Sequence, residues 1–313
     1  MDRNLALEFV RVTEAAAIAA STWTGRGDKM AADGAAVDEM RARFNGIDFN
    51  GVVVIGEGKK DEAPELFVGE KLGTGAGAEL DIAVDPLECT DSVANGVPNA
   101  ISVIATGAKG SLFHAPDMYM NKIACGPAAR GAIDLLDTPE NNIKRVAEKL
   151  GKEISEITVV VLSRPRHDNL IKSIRDTGAR VRLISDGDVA GAIAPSMPES
   201  GIDLLMGIGA SAEAVLASTA IKCLGGEFQA QLAPKDEAQK AELVSMGVTD
   251  LNKIYTADDL AKGEDLTFTA TGVIDGPLLK GIRYTRDFCI THSVVMRVKT
   301  GTVRFLETWH KRK

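Results

Sequence analysis

Two rhythms of apolar residues run along this chain, one returning every three to four positions and one filling short, nearly continuous runs. Leu5, Phe9, Val12, Ala16 and Ala19 follow the first and predict a helix over 5–22, whose many alanines favour close packing. Thr24-Gly-Arg-Gly-Asp-Lys29 reads as the turn that ends it, and a second helix is expected from Asp33, or slightly earlier, to Phe44. Short apolar runs then predict buried strands at Gly51–Ile55 and 81–84, with further strands near 101–106 and 111–114.

The second half changes rhythm. Ile157–Leu162, Ala179–Ile184 and Ile202–Met206 read as strands, and helical stretches follow at about 167–177, behind Asp188, and at about 212–224. Strands alternating with helices imply a parallel α/β arrangement with functional loops at the carboxyl ends of the strands. Polar loops fall at those ends: Arg164-Pro165-Arg166, Asp186-Gly187-Asp188, and Gly209 to Glu213. The tail returns to strands near 266–271, 289–298 and 302–309, and Lys235 to Lys240 reads as a solvated helix start.

A chain of 313 residues with 45% hydrophobic content has enough material for two domains, with an expected division into 1–150 and 151–313. The net charge of −8 argues against a nucleic-acid partner, while a small phosphorylated substrate stays compatible where local cations reverse the sign. No signal-peptide pattern or apolar run of spanning length is visible, so no membrane partner is expected. Cys89, Cys125, Cys223 and Cys289 are scattered without a CxxC pair and read as reduced thiols of a cytoplasmic protein.

The candidate chemistry centres on Asp81-Ile-Ala-Val-Asp85-Pro-Leu-Glu88-Cys-Thr90. The apolar strand is expected to stop at the proline, so that Asp85 and Glu88, three apart across a turn, converge on one cation. Glu57 emerges at another strand end between Gly56 and Gly58, which tolerate unusual backbone angles. With Asp33 and Glu213 these give five candidate ligands without a His or Cys cluster, which argues against structural zinc and for Mg²⁺ or Mn²⁺. Such ions clamp phosphoryl groups and activate water. Thr90 is placed to orient that water, and Lys29, Arg164 and Arg166 to neutralise phosphate oxygens. Backbone N–H groups after Gly209 offer another anion site at a helix start. Phosphate-ester hydrolysis without a covalent Ser, Cys or Asp nucleophile follows as the reaction class. Gly73 to Gly77 fails as a dinucleotide loop, because no strand is expected before it and no helix after it. His167 reads equally as a phosphate contact or a helix-start polar residue, Asp61 and Glu62 as solvated acids, and Cys89 as a small unreactive residue rather than a redox switch.

Asp33, Gly56-Glu57-Gly58, Asp85-Pro-Leu-Glu88-Cys-Thr90, Ala115-Pro-Asp-Met-Tyr119-Met, Arg164-Pro-Arg-His167 and Asp186-Gly-Asp188 together resemble the class II fructose-1,6-bisphosphatases. The resemblance covers almost the whole chain and places it with the lithium-sensitive, metal-dependent sugar and inositol phosphatases. Arg180 to Asp188 and Cys223-Leu-Gly-Gly-Glu-Phe-Gln look most similar to the dual fructose-1,6-/sedoheptulose-1,7-bisphosphatases of cyanobacteria. It implies an α/β fold, a layered α-β-α-β-α sandwich of two domains with the metal site between them. It further implies Asp33 and Glu57 for one Mn²⁺ or Mg²⁺, and Asp85, Glu88 and Glu213 for a second, with Glu57, Asp85 and Thr90 catalytic. Substrate contacts would come from Lys29, Glu88, Cys89, Thr90, Tyr119, Arg164, Pro165, Arg166, Asp186, Gly187, Asp188 and the backbone at Ala210. The implied activity is hydrolysis of the 1-phosphate of fructose-1,6-bisphosphate in gluconeogenesis or a carbon-fixation cycle, by a homo-oligomer, either a dimer or a tetramer. Sedoheptulose-1,7-bisphosphate or another sugar or inositol phosphate is the alternative substrate, and a non-catalytic paralogue that binds sugar phosphates is the alternative role. The chain departs from its relatives in carrying Cys89 where they have Gly, and Ser211-Ala-Glu213-Ala where they typically read Ala-Pro-Glu-Gly.

Overall fold

The computed structural model describes residues 5–58 and 66–312. Lys59, Lys60, Asp61 and Glu62 lie outside the described residues. Helices α1 (Leu5–Ser21) and α2 (Lys29–Phe44) precede strands β1 (Asn50–Ile55), β2 (Lys71–Leu72) and β3 (Glu79–Glu88). A short helix α3 (Thr90–Asn95) leads to β4 (Ile101–Ala108), and β5 (Tyr119–Cys125) is followed by α4 (Pro139–Leu150). Then come β6 (Thr158–Leu162), α5 (Asp168–Asp176), β7 (Arg180–Ile184), α6 (Val189–Ile193), β8 (Leu204–Ala210) and α7 (Ser211–Leu224). After β9 (Glu227–Leu232), α8 (Glu237–Ser245), β10 (Tyr255–Thr256) and α9 (Ala257–Leu260), the chain closes with β11 (Leu266–Gly272), β12 (Arg283–Tyr284), β13 (Phe288–Arg297) and β14 (Thr302–Lys311).

The mixture of helices and mixed sheets is an α/β fold. Residues 1–114 and 261–313 form one compact unit, and 115–260 the other. This division differs from the expected 1–150 and 151–313, whose boundary falls inside the second unit. The reason is pairing: β11 from the tail zips antiparallel onto β4 over seven residue pairs, from Leu266–Gly107 to Gly272–Ile101, so the tail completes the sheet that the first hundred residues begin.

In the first unit the sheet runs β12-β13-β11-β4-β3-β1-β2, with β14 on β13. β1 and β3 are parallel; the other pairings are antiparallel. Beneath it Phe9, Phe44 and Phe49 meet edge to face with centroids 5.5–6.0 Å apart, joining α1 and α2 to the start of β1. In the second unit the order is β10-β9-β5-β8-β6-β7. Here β7, β6 and β8 are parallel neighbours, as the alternating rhythm suggests, and β5 and β9 add antiparallel strands.

Four local expectations are sharpened or corrected. Helix α2 begins at Lys29, four residues before Asp33, because the Asp28 side chain accepts the N–H of Ala31 at 3.0 Å and caps it. The segment 111–114 is no strand; Leu112 makes one bridge to Ala261 and donates its N–H to the Asp81 carboxylate at 3.1 Å, spending its backbone on a side chain. β3 continues through Pro86 to Glu88, since the irregularity opposite β4 accommodates a residue that has no N–H to give. β8 likewise continues through Gly207-Ile208-Gly209 and ends at Ala210, held by its pairing with β5.

Candidate functional site

In the first unit, three elements bring carboxylates into electrostatic reach of one another. α2 carries Asp33 in its second turn, because its buried stripe of Ala32, Ala36, Val37 and Met40 fixes the rotation of the helix. β1 delivers Glu57 just past its end. Gly56 is required there, since a Cβ would stand 2.0 Å from the Leu66 carbonyl oxygen and 2.7 Å from Val53, and Gly58 takes φ +126°. Asp85 comes from β3, the parallel neighbour of β1. Glu57 is pushed up to about 9, by burial first and then by the negative charges of Asp85 and Asp33. Burial raises Asp33 as well.

Glu88 is buried at the end of β3, and Thr90 opens α3. Between them Cys89 holds φ +75°, ψ +54°, the left-handed conformation that glycine adopts freely. Its side chain is buried and within 3.8 Å of the Asn99 amide nitrogen. Lys29 is exposed and pairs with Asp91 of α3 at 3.2 Å.

The donor set fits a hard divalent cation. Every influence on Glu57 raises its pKa and is burial or negative charge, which is an arrangement a bound cation relieves. Among the described residues, no three His, Cys, Asp or Glu side chains converge closely enough to hold one ion as they stand.

The second unit holds the remaining candidates. Arg164 donates to Asp186 at 2.9 Å, tying two of the expected loops together. Arg166 places its guanidinium 4.7 Å from the centre of the Tyr119 ring and donates to the Ile208 carbonyl oxygen at 2.9 and 3.3 Å. Tyr119 faces Ala210 across the β5–β8 ladder. Pro165 starts the turn that leads into α5, and Gly187 takes φ +52°.

Asp188 and Glu213 meet on a residue that sequence reasoning missed. Lys122 on β5, nearly inaccessible to solvent, donates to both oxygens of Asp188 at 2.7 and 2.9 Å and to Glu213 Oε2 at 3.1 Å. The same Glu213 oxygen accepts the N–H of Ala210 at 2.8 Å, so the chain's own carboxylate takes the expected backbone anion site. Burial, then Glu213, push Asp188 up to about 8, with Lys122 opposing. Burial also works against the charged forms of Glu213 and Lys122, yet the contacts win: Lys122 and the Asp188 hydrogen bond hold Glu213 below its usual range, and Asp188, then Glu213, hold Lys122 above its own. The triad lies directly over Gly209, where a Cβ would fall 2.1 Å from Asp188 and 2.7 Å from both Glu213 and Lys122. The signal in the sequence was a lysine in the middle of the otherwise uncharged run Tyr119-Met-Asn-Lys-Ile-Ala-Cys125. His167, which the sequence left open between a phosphate contact and a helix-start polar residue, is also buried.

The described structure is that of an α/β protein whose first unit gathers carboxylates and whose second unit holds Arg164 and Arg166 beside Asp186 and Tyr119. Residues 3–310 match the family model described as bacterial fructose-1,6-bisphosphatase, glpX-encoded, and the chain belongs to this family. It is 46% identical over 323 residues to the fructose-1,6-bisphosphatase class 2 of Haemophilus influenzae, covering 99% of this chain and 97% of that protein. It is similarly 46% identical to the D-fructose 1,6-bisphosphatase class 2/sedoheptulose 1,7-bisphosphatase of Prochlorococcus marinus, with the same coverage. The protein of that name from a Synechococcus strain is 43% identical over 334 residues, covering 99% of this chain and 96% of its own.

Proposed function

We propose that this chain hydrolyses the 1-phosphate of fructose-1,6-bisphosphate, releasing fructose 6-phosphate and inorganic phosphate. The observation that carries the reading is the family match over residues 3–310. It is supported by relatives of the same length that are named for this activity. The layered α-β-α-β-α sandwich, membership of the lithium-sensitive superfamily, a cytoplasmic location and a homo-oligomeric state go with the reading as what the resemblance implies. Among the described residues no helix is long and apolar enough to cross a membrane.

In this reading Asp33 and Glu57 hold one Mg²⁺ or Mn²⁺, and Asp85, Glu88 and Glu213 a second. When bound, such ions supply Lewis-acid polarisation of phosphoryl oxygens and make a water nucleophilic at neutral pH. Thr90 orients the attacking water by its hydroxyl. Arg164 and Arg166 hold the phosphate that is not cleaved; Arg164 is pre-set by Asp186 and Arg166 by Tyr119 and Ile208. Asp186 and Tyr119 reach sugar hydroxyls, while Asp188, buried against Lys122, anchors the loop that bears Gly187. Lys29 adds positive charge at the start of α2.

The test is phosphate release from fructose-1,6-bisphosphate with and without added Mn²⁺; metal-dependent release supports the reading, and none in either condition removes it. Sedoheptulose-1,7-bisphosphate belongs in the same assay, because two of the relatives carry both activities in their names. Binding of bisphosphates without hydrolysis of either would favour a non-catalytic role.

A further inference from the structure

His167 occupies a fork in the second sheet. β6 and β8 pair in parallel at Val159–Leu204 and Val160–Leu205. Beyond those rungs the imidazole spans the two chains: Nδ1 lies 2.8 Å from the Leu162 carbonyl oxygen, and Nε2 accepts the N–H of Ile208 at 2.8 Å. A carbonyl only accepts and a backbone N–H only donates, so the proton sits on Nδ1 and Nε2 presents a lone pair. Both ring nitrogens are thereby committed in one neutral tautomer. Burial pushes His167 below its ordinary range; the Leu162 carbonyl opposes this, and the charges of Arg166 and Arg164 add to it. Gly207 makes the approach possible, because a Cβ there would lie 3.2 Å from Nε2 and its φ is +152°.

Ile208 is the relay. Its N–H goes to His167, and its carbonyl oxygen accepts from Nη2 of Arg166 at 2.9 Å and from Nε at 3.3 Å. Arg166 in turn lies over the Tyr119 ring. Ile208 joins two successive peptide units: the one that ends in its N–H is held by the imidazole, and the one that begins with its carbonyl holds the guanidinium.

We propose that His167 is a positioning residue for Arg166: it holds the backbone of Ile208 so that the guanidinium stands ready for the phosphate that is not cleaved. This rests on the substrate reading given above. His167 itself is 1% exposed with both nitrogens engaged, so it acts through Arg166 and not by touching phosphate.

The test compares His167→Asn with His167→Gln. The Asn amide reaches the Nδ1 position and keeps Leu162 but loses Ile208; the Gln amide reaches the Nε2 position and keeps Ile208. With fructose-1,6-bisphosphate and Mn²⁺, the Asn variant should raise KM about tenfold with kcat within about twofold. The Gln variant should recover most of the loss. In an Arg166→Met background, His167→Asn should add no further change, as expected of two residues acting in series. A KM for the Asn variant equal to wild type, a loss in kcat alone, or multiplying effects in the double variant would overturn the proposal. The unaltered protein gives a second reading should the variants not fold. Saturating fructose 6-phosphate should slow hydrogen exchange at the Ile208 amide about tenfold, and an unchanged rate would count against the relay. If the wild type neither cleaves the bisphosphate nor binds fructose 6-phosphate, the substrate reading itself fails and takes the inference with it.

Discussion

Asp85 and Glu88 are three residues apart on β3, yet they stand opposite Val103 and Ile101, which are only two apart on β4. In a regular strand, residues three apart point to opposite faces. Opposed residues of an antiparallel pair share a face, and so do residues two apart. The extra residue in β3 therefore brings both carboxylates to one face of the sheet, as a β-bulge does. Pro86 sits inside this irregularity, where its missing N–H costs no ladder bond.

Asp85→Asn and Glu57→Ala should each reduce phosphate release by at least about 100-fold, the scale seen when one group that stabilises transition-state charge is lost. Thermal unfolding in the presence of a chelator should show the fold retained. For Glu57→Ala it should even show a small gain, because folding no longer buries a carboxyl whose ionised form is disfavoured by burial and by Asp85 and Asp33. Full turnover in both variants would mean that these carboxylates do not form the site.

Lys122→Met leaves the buried Asp188 and the half-buried Glu213 without the Lys122 ammonium between them. Removing one partner of a buried ion pair costs about 3–5 kcal/mol, and urea unfolding of the variant should show a loss on that scale. Adding Asp188→Asn should recover part of it, since an amide is buried there without the cost of holding a carboxyl protonated. A Lys122→Met variant as stable as wild type would show that the triad contributes nothing net.

Cys89 has a backbone that glycine would adopt without strain, φ +75° and ψ +54°. A side chain in this region costs about 1–2 kcal/mol, and a β-branched one is worse placed still. Cys89→Val should therefore lower stability by about 2 kcal/mol or more. Cys89→Gly should stay within about 1 kcal/mol, as relief of strain offsets the lost burial of the thiol and the greater freedom of the unfolded chain. Equal losses in the two variants, measured by denaturant unfolding, would show that packing and not backbone strain decides this position.

Periodicity exposed most elements of the fold, because helices α1 and α7 and strands β1, β6, β11 and β13 bury apolar residues in the spacing their geometry demands. β5 escaped notice for a physical reason: Asn121 and Lys122 interrupt its apolar pattern, and the lysine's charge is compensated by Asp188 and Glu213, 66 and 91 residues further along. The bulge in β3 escaped too, since a proline in an acidic stretch reads locally as a stop and only the partner strand shows that pairing resumes. The place of Glu57 just past the end of β1 was recognisable because Gly56 and Gly58 flank it, and the structure supplies the reason for both glycines. Likewise, the return of the tail to the first sheet depends on a long-range pairing between β4 and β11 that no local pattern encodes.

Asp137 provides a pH test away from the site. The hydrogen bond from Arg145, then those from the Asn141 side chain and the Thr138 N–H, hold its carboxyl down at about 2 against an ordinary 3.8. A carboxyl whose folded pKa is depressed adds stability in full above its unfolded pKa and loses it as pH falls through the folded one. The contribution should therefore be complete above about pH 4 and fade towards pH 2. Arg145 also donates to the Ala132 carbonyl oxygen at 2.8 Å and to Asn142 Oδ1 at 2.9 Å, so it stays anchored when Asp137 is neutralised. Asp137→Asn should accordingly lower Tm relative to wild type at pH 6, and the difference between the two proteins should shrink as pH falls from 4 to 2. Other carboxyls titrate in the same window but do so in both proteins, which is why the difference carries the test. A gap that stays constant down to pH 2 would show that the Arg145 contact does not depend on the charge of Asp137.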